Sequence, residues 1–242
     1  MHFLFKTEVD KRVYLEKSLK RLYPTFQNGG RLYRDLISQH AKKHAIVLDA
    51  GCGNGGVLSS YTHLFSKTIG IDTNQHLLNE HDFLDEKILS DLSKIPLSDN
   101  SIDLVTCDFV LEHIQHPEEV FHEILRVLKP EGVFLFRTTN VFNPVMMFSK
   151  FLPLSVHKIL RDVLLKKEEE THETYYRANS WMNLLSLGKQ SGFKSIQLHR
   201  AGNPEYLAFS PLTVIPAILL EKCFNLSGFH WLKMYLIGVY KK

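Results

Sequence analysis

The chain's most chemically suggestive stretch is Ala45-Ile46-Val47-Leu48-Asp49-Ala50-Gly51-Cys52-Gly53-Asn54-Gly55-Gly56. Glycine takes positive φ without steric cost and lets another molecule approach the backbone closely. Four glycines in six residues therefore make a loop able to hold a ligand. Between a strand and a helix, such a loop also offers an anion the unpaired N–H groups of the first helical turn. The pattern Gly51-x-Gly53-x-x-Gly56 satisfies a dinucleotide fingerprint. Asp49 argues for different chemistry. It stands at the carboxyl end of the expected strand, where a carboxylate crowds a pyrophosphate and suits a ligand with an ammonium or sulfonium. A second acid, Asp72, closes the run Thr68-Ile69-Gly70-Ile71, about 20 residues beyond the glycines. A carboxylate there can accept both hydroxyls of a ribose, or cap the next helix.

Proton-transfer candidates lie further on. His113 and His116 follow the run Cys107-Asp108-Phe109-Val110-Leu111-Glu112. His172-Glu173-Thr174-Tyr175-Tyr176-Arg177 gathers imidazole, carboxylate, phenols and guanidinium within six residues. Of these, His113, His172 and Tyr176 are the catalytic candidates, since each can take a proton from an attacking group. A chance gathering of polar residues in a loop gives the same pattern.

The elements that must position these residues alternate strand and helix from residue 44, which predicts a parallel sheet with right-handed crossovers. Strands are expected at Ala45–Asp49, Thr68–Asp72, Lys87–Ser90, Ile102–Thr106, Gly132–Arg137, Lys194–His199 and Tyr235–Tyr240. Helices are expected at Val57–Leu64, Asn74–Leu78, Pro117–Leu128 and Ser180–Gln190, the last capped by Ser180. Lys129-Pro130-Glu131-Gly132 reads as a turn. Residues 1–43 read as a helical lid, with Leu15, Leu19 and Leu22 spaced i, i+4, i+7 and a break at Asn28-Gly29-Gly30. Residues 44–140 form the ligand-binding core. Residues 141–242 complete the sheet and carry two apolar insertions, Phe142–Leu165 and 203–232, with Lys166–Glu170 as a solvated charge run.

At 242 residues and a net charge of +3 the chain suits one soluble domain, with no call for nucleic acid. Residues 1–44 hold ten Lys/Arg against four Asp/Glu, which suits a solvated helix face or contact with anionic headgroups. Cys52, Cys107 and Cys223 lack metal-like spacing, so reduced thiols and no metal are expected. The apolar run Leu207–Leu220 is short for a membrane span and broken by Pro211 and Pro216. A cytoplasmic protein that can touch a membrane surface is the expectation.

Val47-Leu48-Asp49-Ala50-Gly51-Cys52-Gly53-Asn54-Gly55, Asp72, Asp91-Leu92, the loop Leu92–Val105, Leu111-Glu112-His113 and Arg126–Gly132 together resemble the class I S-adenosylmethionine-dependent methyltransferases of small-molecule type. The resemblance covers residues 45–140. It implies a Rossmann-like, seven-stranded, mostly parallel sheet with helices on both faces. The last strand would be antiparallel between strands five and six, with helical cap insertions beside the sheet. It implies S-adenosylmethionine as cofactor, leaving as S-adenosylhomocysteine, held by Asp49, Gly51, Gly53, Asn54, Asp72, Thr73, Asp91, Leu92 and Asp108. In the family an Asp at position 91 bonds the adenine amino group, and the next backbone N–H meets the ring; a plain turn residue is the alternative. The amino-methylating Asp/Asn-Pro-Pro-aromatic motif is absent, which argues against adenine or glutamine as acceptor. A small or lipid-linked acceptor is the resulting expectation, methylated at oxygen, with carbon or nitrogen as alternatives, and with the aromatic-rich insertions and His172–Arg177 shaping its pocket. The rivals are a nicotinamide-dependent oxidoreductase, licensed by the glycines, and a non-catalytic relative that keeps the cofactor site.

Overall fold

The computed structural model describes residues 5, 7–151 and 173–242, with the side chains of 148–151 left aside. Its seven strands are β1 (Ala45–Ala50), β2 (Phe65–Asp72), β3 (Glu86–Leu89), β4 (Ile102–Asp108), β5 (Leu128–Thr139), β6 (Ser195–Ala201) and β7 (Tyr235–Lys241). They form one sheet in the order β3-β2-β1-β4-β5-β7-β6. The pairs β1–β2, β1–β4, β2–β3 and β4–β5 are parallel. β7 runs the other way. The Lys194 N–H, just before β6, donates to the carbonyl of Lys241 at the end of β7. The Lys242 N–H donates to the carbonyl of Gly132, early in β5. The seven-stranded, mostly parallel sheet with an antiparallel final strand is thus present.

Helices α1 (Glu8–Leu22), α2 (Gly29–His40), α3 (Gln75–Asn79), α4 (Pro117–Val127), α5 (Pro144–Phe151), α6 (Trp181–Ser191) and α7 (Pro211–Cys223) complete the described elements. α4 carries its own instructions. Pro117 occupies the first turn, Glu118 and Glu119 sit at the positive end of the dipole, and Val120, Phe121, Ile124 and Val127 are buried on one face. Phe121 meets Phe134 edge-on, at 5.5 Å between ring centroids, within a core that also takes in Phe136, Phe193 and Tyr240. Ser180 caps α6 by accepting from the Asn183 N–H, and Gly192 ends that helix in the left-handed region at φ 99°.

Two local expectations are corrected. No helix spans Val57–Leu64. Short 3-10 turns form at Val57–Ser60 and Thr62–Leu64. Gly56 brings no capping side chain, and the Ser59 and Thr62 hydroxyls bond the carbonyls of Gly56 and Ser59. Such side-chain bonds compete with helix propagation. The expected turn at Lys129–Gly132 is a bulge inside β5: Leu128 pairs with Ile102, Val133 with Leu104, and Glu131 takes φ 63°.

The described residues fall into two compact units. One comprises those of Gly30–Thr139, Glu173–His199 and Leu236–Lys242, and holds most of the sheet and the main core. Most of α2 belongs here, since Tyr33 is fully buried and its hydroxyl donates to the Leu135 carbonyl, so the sequence boundary at 43/44 falls inside this unit. The other comprises those of Met1–Gly29, Asn140–His172 and Arg200–Tyr235. Its core joins Leu15 and Tyr23 to Ala208, Val214, Ala217 and Ile218, with Leu19 and Leu22 packed beside them. Much of the Phe142–Leu165 insertion, the charge run Lys166–Glu170 and His172 lie outside the described residues.

Candidate active site

From β1 the chain steps to β2 and β3 on one side and later to β4 and β5 on the other. The loops after β1 and β4 leave the sheet where the strand order reverses, which opens a crevice at the carboxyl ends of the strands. A cleft of about 180 Å³ lies there, lined by Asp49, Gly51, Cys52, Gly55, Gly56 and Asp108.

The glycine loop is held from several directions. Gly51 has φ 73° and Gly53 φ 55°. A Cβ on Gly51 would come within 2.5 Å of Val110, so both backbone angle and close packing demand glycine. The Gly51 and Cys52 N–H groups both donate to the Ile71 carbonyl, at 2.8 and 3.1 Å. The Gly53 N–H donates to Asp72 Oδ2 at 2.8 Å, and the Gly53 carbonyl accepts from His81 Nε2 at 2.7 Å. These N–H groups are therefore committed to β2, and only a 3-10 turn follows the loop. An anion site is not built from Gly51, Cys52 and Gly53.

What the cleft offers instead is negative charge. Asp49 is 4% exposed and accepts from the Thr106 hydroxyl at 2.9 Å through Oδ1. Its Oδ2 faces Gly56, where an added Cβ would lie 3.1 Å away. Burial pushes the Asp49 carboxyl up to about 7; Asp108 and Asp72 add to the rise, and the Thr106 bond opposes it. Asp108 is clamped by Arg137, with Nε to Oδ1 and Nη2 to Oδ2 both at 2.8 Å. The same guanidinium lies 4.3 Å from the centroid of the Phe109 ring, and Phe109 takes φ 57°. A bulky residue in that region is strained, and here it stands at the mouth of β4.

Asp72 gives each oxygen one backbone partner, Gly53 N–H to Oδ2 and Asn74 N–H to Oδ1. Each oxygen keeps acceptor capacity for a further donor. The helix-capping alternative falls to Asn74, whose Oδ1 accepts from the His76 and Leu77 N–H groups. Asn54 and Thr73 are exposed and do not line the cleft. Asp91 is exposed and accepts from the Ser93 N–H at 2.7 Å, and Leu92 beside it is 5% exposed.

Two of the described proton-transfer candidates, His113 and Tyr176, belong to segments that are joined after β4. His113 Nδ1 lies 2.8 Å from the Glu173 carbonyl. A carbonyl only accepts, so Nδ1 carries the proton, and in the neutral ring Nε2 is the basic nitrogen. The Glu112 carbonyl accepts from the N–H groups of Tyr175 and Tyr176, and the Gln115 carbonyl accepts from Arg177. Residues 173–177 are thereby docked on the loop Glu112–Gln115, as a pocket wall requires. Tyr176 reaches this position with φ 53°. Tyr175 donates to Glu173, which raises the pKa of its phenol. His116 is exposed. Among the described residues no group of three or more His, Cys, Asp or Glu could hold a metal. Cys52 and Cys107 are buried and Cys223 exposed, all unpaired, with burial pushing the Cys52 thiol up to about 12.

Sequence reading missed four residues that build the site: Thr106, His81, Arg137 and Glu112. Glu112 is 6% exposed, accepts from the Thr138 hydroxyl at 2.8 Å and is pushed up to about 7 by burial. Thr138 in turn accepts from Asn179 at 2.6 Å. An acid between Leu111 and His113 was a signal for Glu112. A lone histidine after a short helix gave none for His81.

Residues 48–136 match a family model described as a methyltransferase domain. The malonyl-[acyl-carrier protein] O-methyltransferase of Yersinia pestis is 27% identical over 177 residues, covering 70% of this chain and 66% of that protein. The demethylmenaquinone methyltransferase of Lactobacillus johnsonii is 33% identical over 138 residues, covering 50% of this chain and 54% of that protein. The chain spans about half the length of the curated relatives it matches. A SAM dependent methyltransferase from Archaeoglobus fulgidus shares the fold with a TM-score of 0.56 at 14% identity, over 95% of this chain and 100% of that one.

Proposed function

We propose that the chain is a class I S-adenosylmethionine-dependent methyltransferase that methylates a small or lipid-linked acceptor at oxygen, a reading supported by the match of residues 48–136 to a methyltransferase domain. The observation that carries this reading is Asp49, a buried carboxyl facing a cleft where the Gly51 and Cys52 N–H groups are already bonded to β2. Such a site suits a cationic ligand and offers little to a pyrophosphate, which removes the ground for a nicotinamide enzyme. When bound, S-adenosylmethionine supplies a methyl group activated by a sulfonium. Asp72 would hold the ribose hydroxyls, and Asp91 and Leu92 the adenine.

In-line displacement asks the protein mainly for alignment and exclusion of water. Arg137 keeps Asp108 at the cleft wall, and the strained Phe109 turn sends the chain on toward Glu112 and His113. His113, with Nδ1 bonded to the Glu173 carbonyl, is the general-base candidate, and Nε2 is the nitrogen that would take the acceptor's proton. His172 and Tyr176 complete the candidate set, and the relatives named for malonyl-[acyl-carrier protein] and demethylmenaquinone support an acceptor of lipid-linked or ring type.

The test is calorimetric titration with S-adenosylhomocysteine, with NAD as control and Asp72→Ala in parallel. Binding in the micromolar range for the first ligand alone, lost in the variant, is expected. Methyl incorporation into candidate acceptors then separates an enzyme from a non-catalytic relative, and His113→Gln should lower kcat more than KM. Binding of NAD in place of S-adenosylhomocysteine would overturn the reading.

A further inference from the structure

Helix α7 is apolar on both sides. Val214, Ala217 and Ile218 are buried in the core they share with Leu15 and Tyr23. On the opposite side Leu212, Ile215 and Leu219 are 68%, 48% and 50% exposed. The segment that follows exposes Leu226, Phe229 and Trp231 at 58%, 52% and 48%. A helix of a water-soluble surface ordinarily turns polar residues outward, and a concentration of exposed apolar side chains marks an interaction site.

The exposed charges of the segment that forms this face have one sign, while α1 beside it carries both. Between residues 206 and 235 the single acid is Glu221, which is 5% exposed. The exposed Lys222 reaches the carbonyl of Leu22 at 3.1 Å, so it gathers with Lys20 and Arg21 where α1 and α7 end side by side. Among the described residues no helix is long and apolar enough to cross a membrane. An in-plane helix has the features seen here: a one-sided apolar stripe, cations at its edge, and aromatic rings with polar N–H groups beside it.

We propose that the outward face of α7, with Leu226, Phe229 and Trp231, is a docking surface for an anionic lipid bilayer. Leu212, Ile215 and Leu219 enter the acyl boundary. Lys222, Lys20 and Arg21 extend their stems toward the headgroup phosphates. This surface lies outside the cofactor cleft, and the inference does not depend on the methyltransferase reading.

The experiment is co-sedimentation of the full chain with phosphatidylglycerol vesicles and, separately, phosphatidylcholine vesicles, with Trp231 fluorescence recorded against Trp231→Phe. The expected result is binding to phosphatidylglycerol vesicles, a blue shift that the Trp231→Phe variant lacks, and weakening at high salt. Leu212→Glu/Ile215→Glu/Leu219→Glu should lower vesicle affinity at least about tenfold while retaining S-adenosylhomocysteine binding equal to the parent's. The proposal is overturned if the parent does not sediment, if Trp231 emission is unchanged by vesicles, or if the triple variant sediments like the parent. It is equally overturned if the parent ignores lipid and forms a dimer that the triple substitution dissolves, since the occupant is then a second copy.

Discussion

Two walls beside the carboxyl ends of the strands are built on opposite plans. On the β1–β2 side the glycine loop is tied down from nearby in sequence: Asp72 reaches back 19 residues to Gly53, and His81 reaches back 28. On the β4 side the contacts are long. His113 meets Glu173 across 60 residues, and Thr138, which donates to Glu112, meets Asn179 across 41. The first wall is a local device of loop and neighbouring strand, able to form as soon as the two strands pair. The second exists only once the chain has returned through α6. On the function proposed above, the first plan serves the cofactor, and the second leaves an acceptor wall open to change through the remote segment.

Substitutions can break that contrast. Gly51→Ala should have the largest effect, about 3 kcal/mol of stability, from the positive φ and the overlap with Val110 together. Chemical denaturation measures it, and Gly51→Ala/Val110→Ala should recover the steric part alone. His81→Phe keeps the ring's packing against Phe83 and removes the donor to Gly53. It should cost about 1–2 kcal/mol and weaken S-adenosylhomocysteine binding, with Asp72 still in place. If binding is unchanged, the local wall does not need its second clamp.

Protonation sharpens the comparison. Asp49 and Glu112 are both raised to about 7, so the folded protein holds protons that the unfolded chain has released. Their contribution to stability is therefore full below the ordinary carboxylate range and is lost as pH rises from about 4 through about 7. Denaturation midpoints should fall over that window. A cationic ligand favours ionised Asp49, so S-adenosylmethionine affinity should rise with pH up to about 7, by as much as about tenfold per unit below it. S-adenosylhomocysteine, without the sulfonium, should gain less. Calorimetry in buffers of different ionisation enthalpy reads the proton released. The smallest effect is expected at the far wall, where Glu112→Gln keeps an acceptor for Thr138 and should change stability by less than about 1 kcal/mol at low pH. It should also flatten its share of the pH slope.

Much of the first wall was legible in the residues. Asp49, the glycines and Asp72 announce themselves through short spacing, because a strand, a tight turn and the next parallel strand leave few ways to arrange thirty residues. Pro117 and Ser180 mark their helices for the same reason: a cap acts within one turn. Spacing misled where side chains competed with the backbone, as at Val57–Leu64. It also misled where two strands of unequal length were paired, so that Lys129–Gly132 became a bulge.

Composition and local pattern were enough, then, to determine a parallel sheet with a carboxylate and a glycine loop at its switch point. Only the tertiary structure decided that the Gly51, Cys52 and Gly53 N–H groups would be spent on Ile71 and Asp72, with the buried Asp49 carboxyl facing the cleft. It alone decided that Glu112 would be a buried acid, and that the far side of α7 would remain uncovered. Those outcomes depend on which remote groups come to lie within about 3 Å, and hydrogen bonding and desolvation are settled by that distance and not by position in the chain.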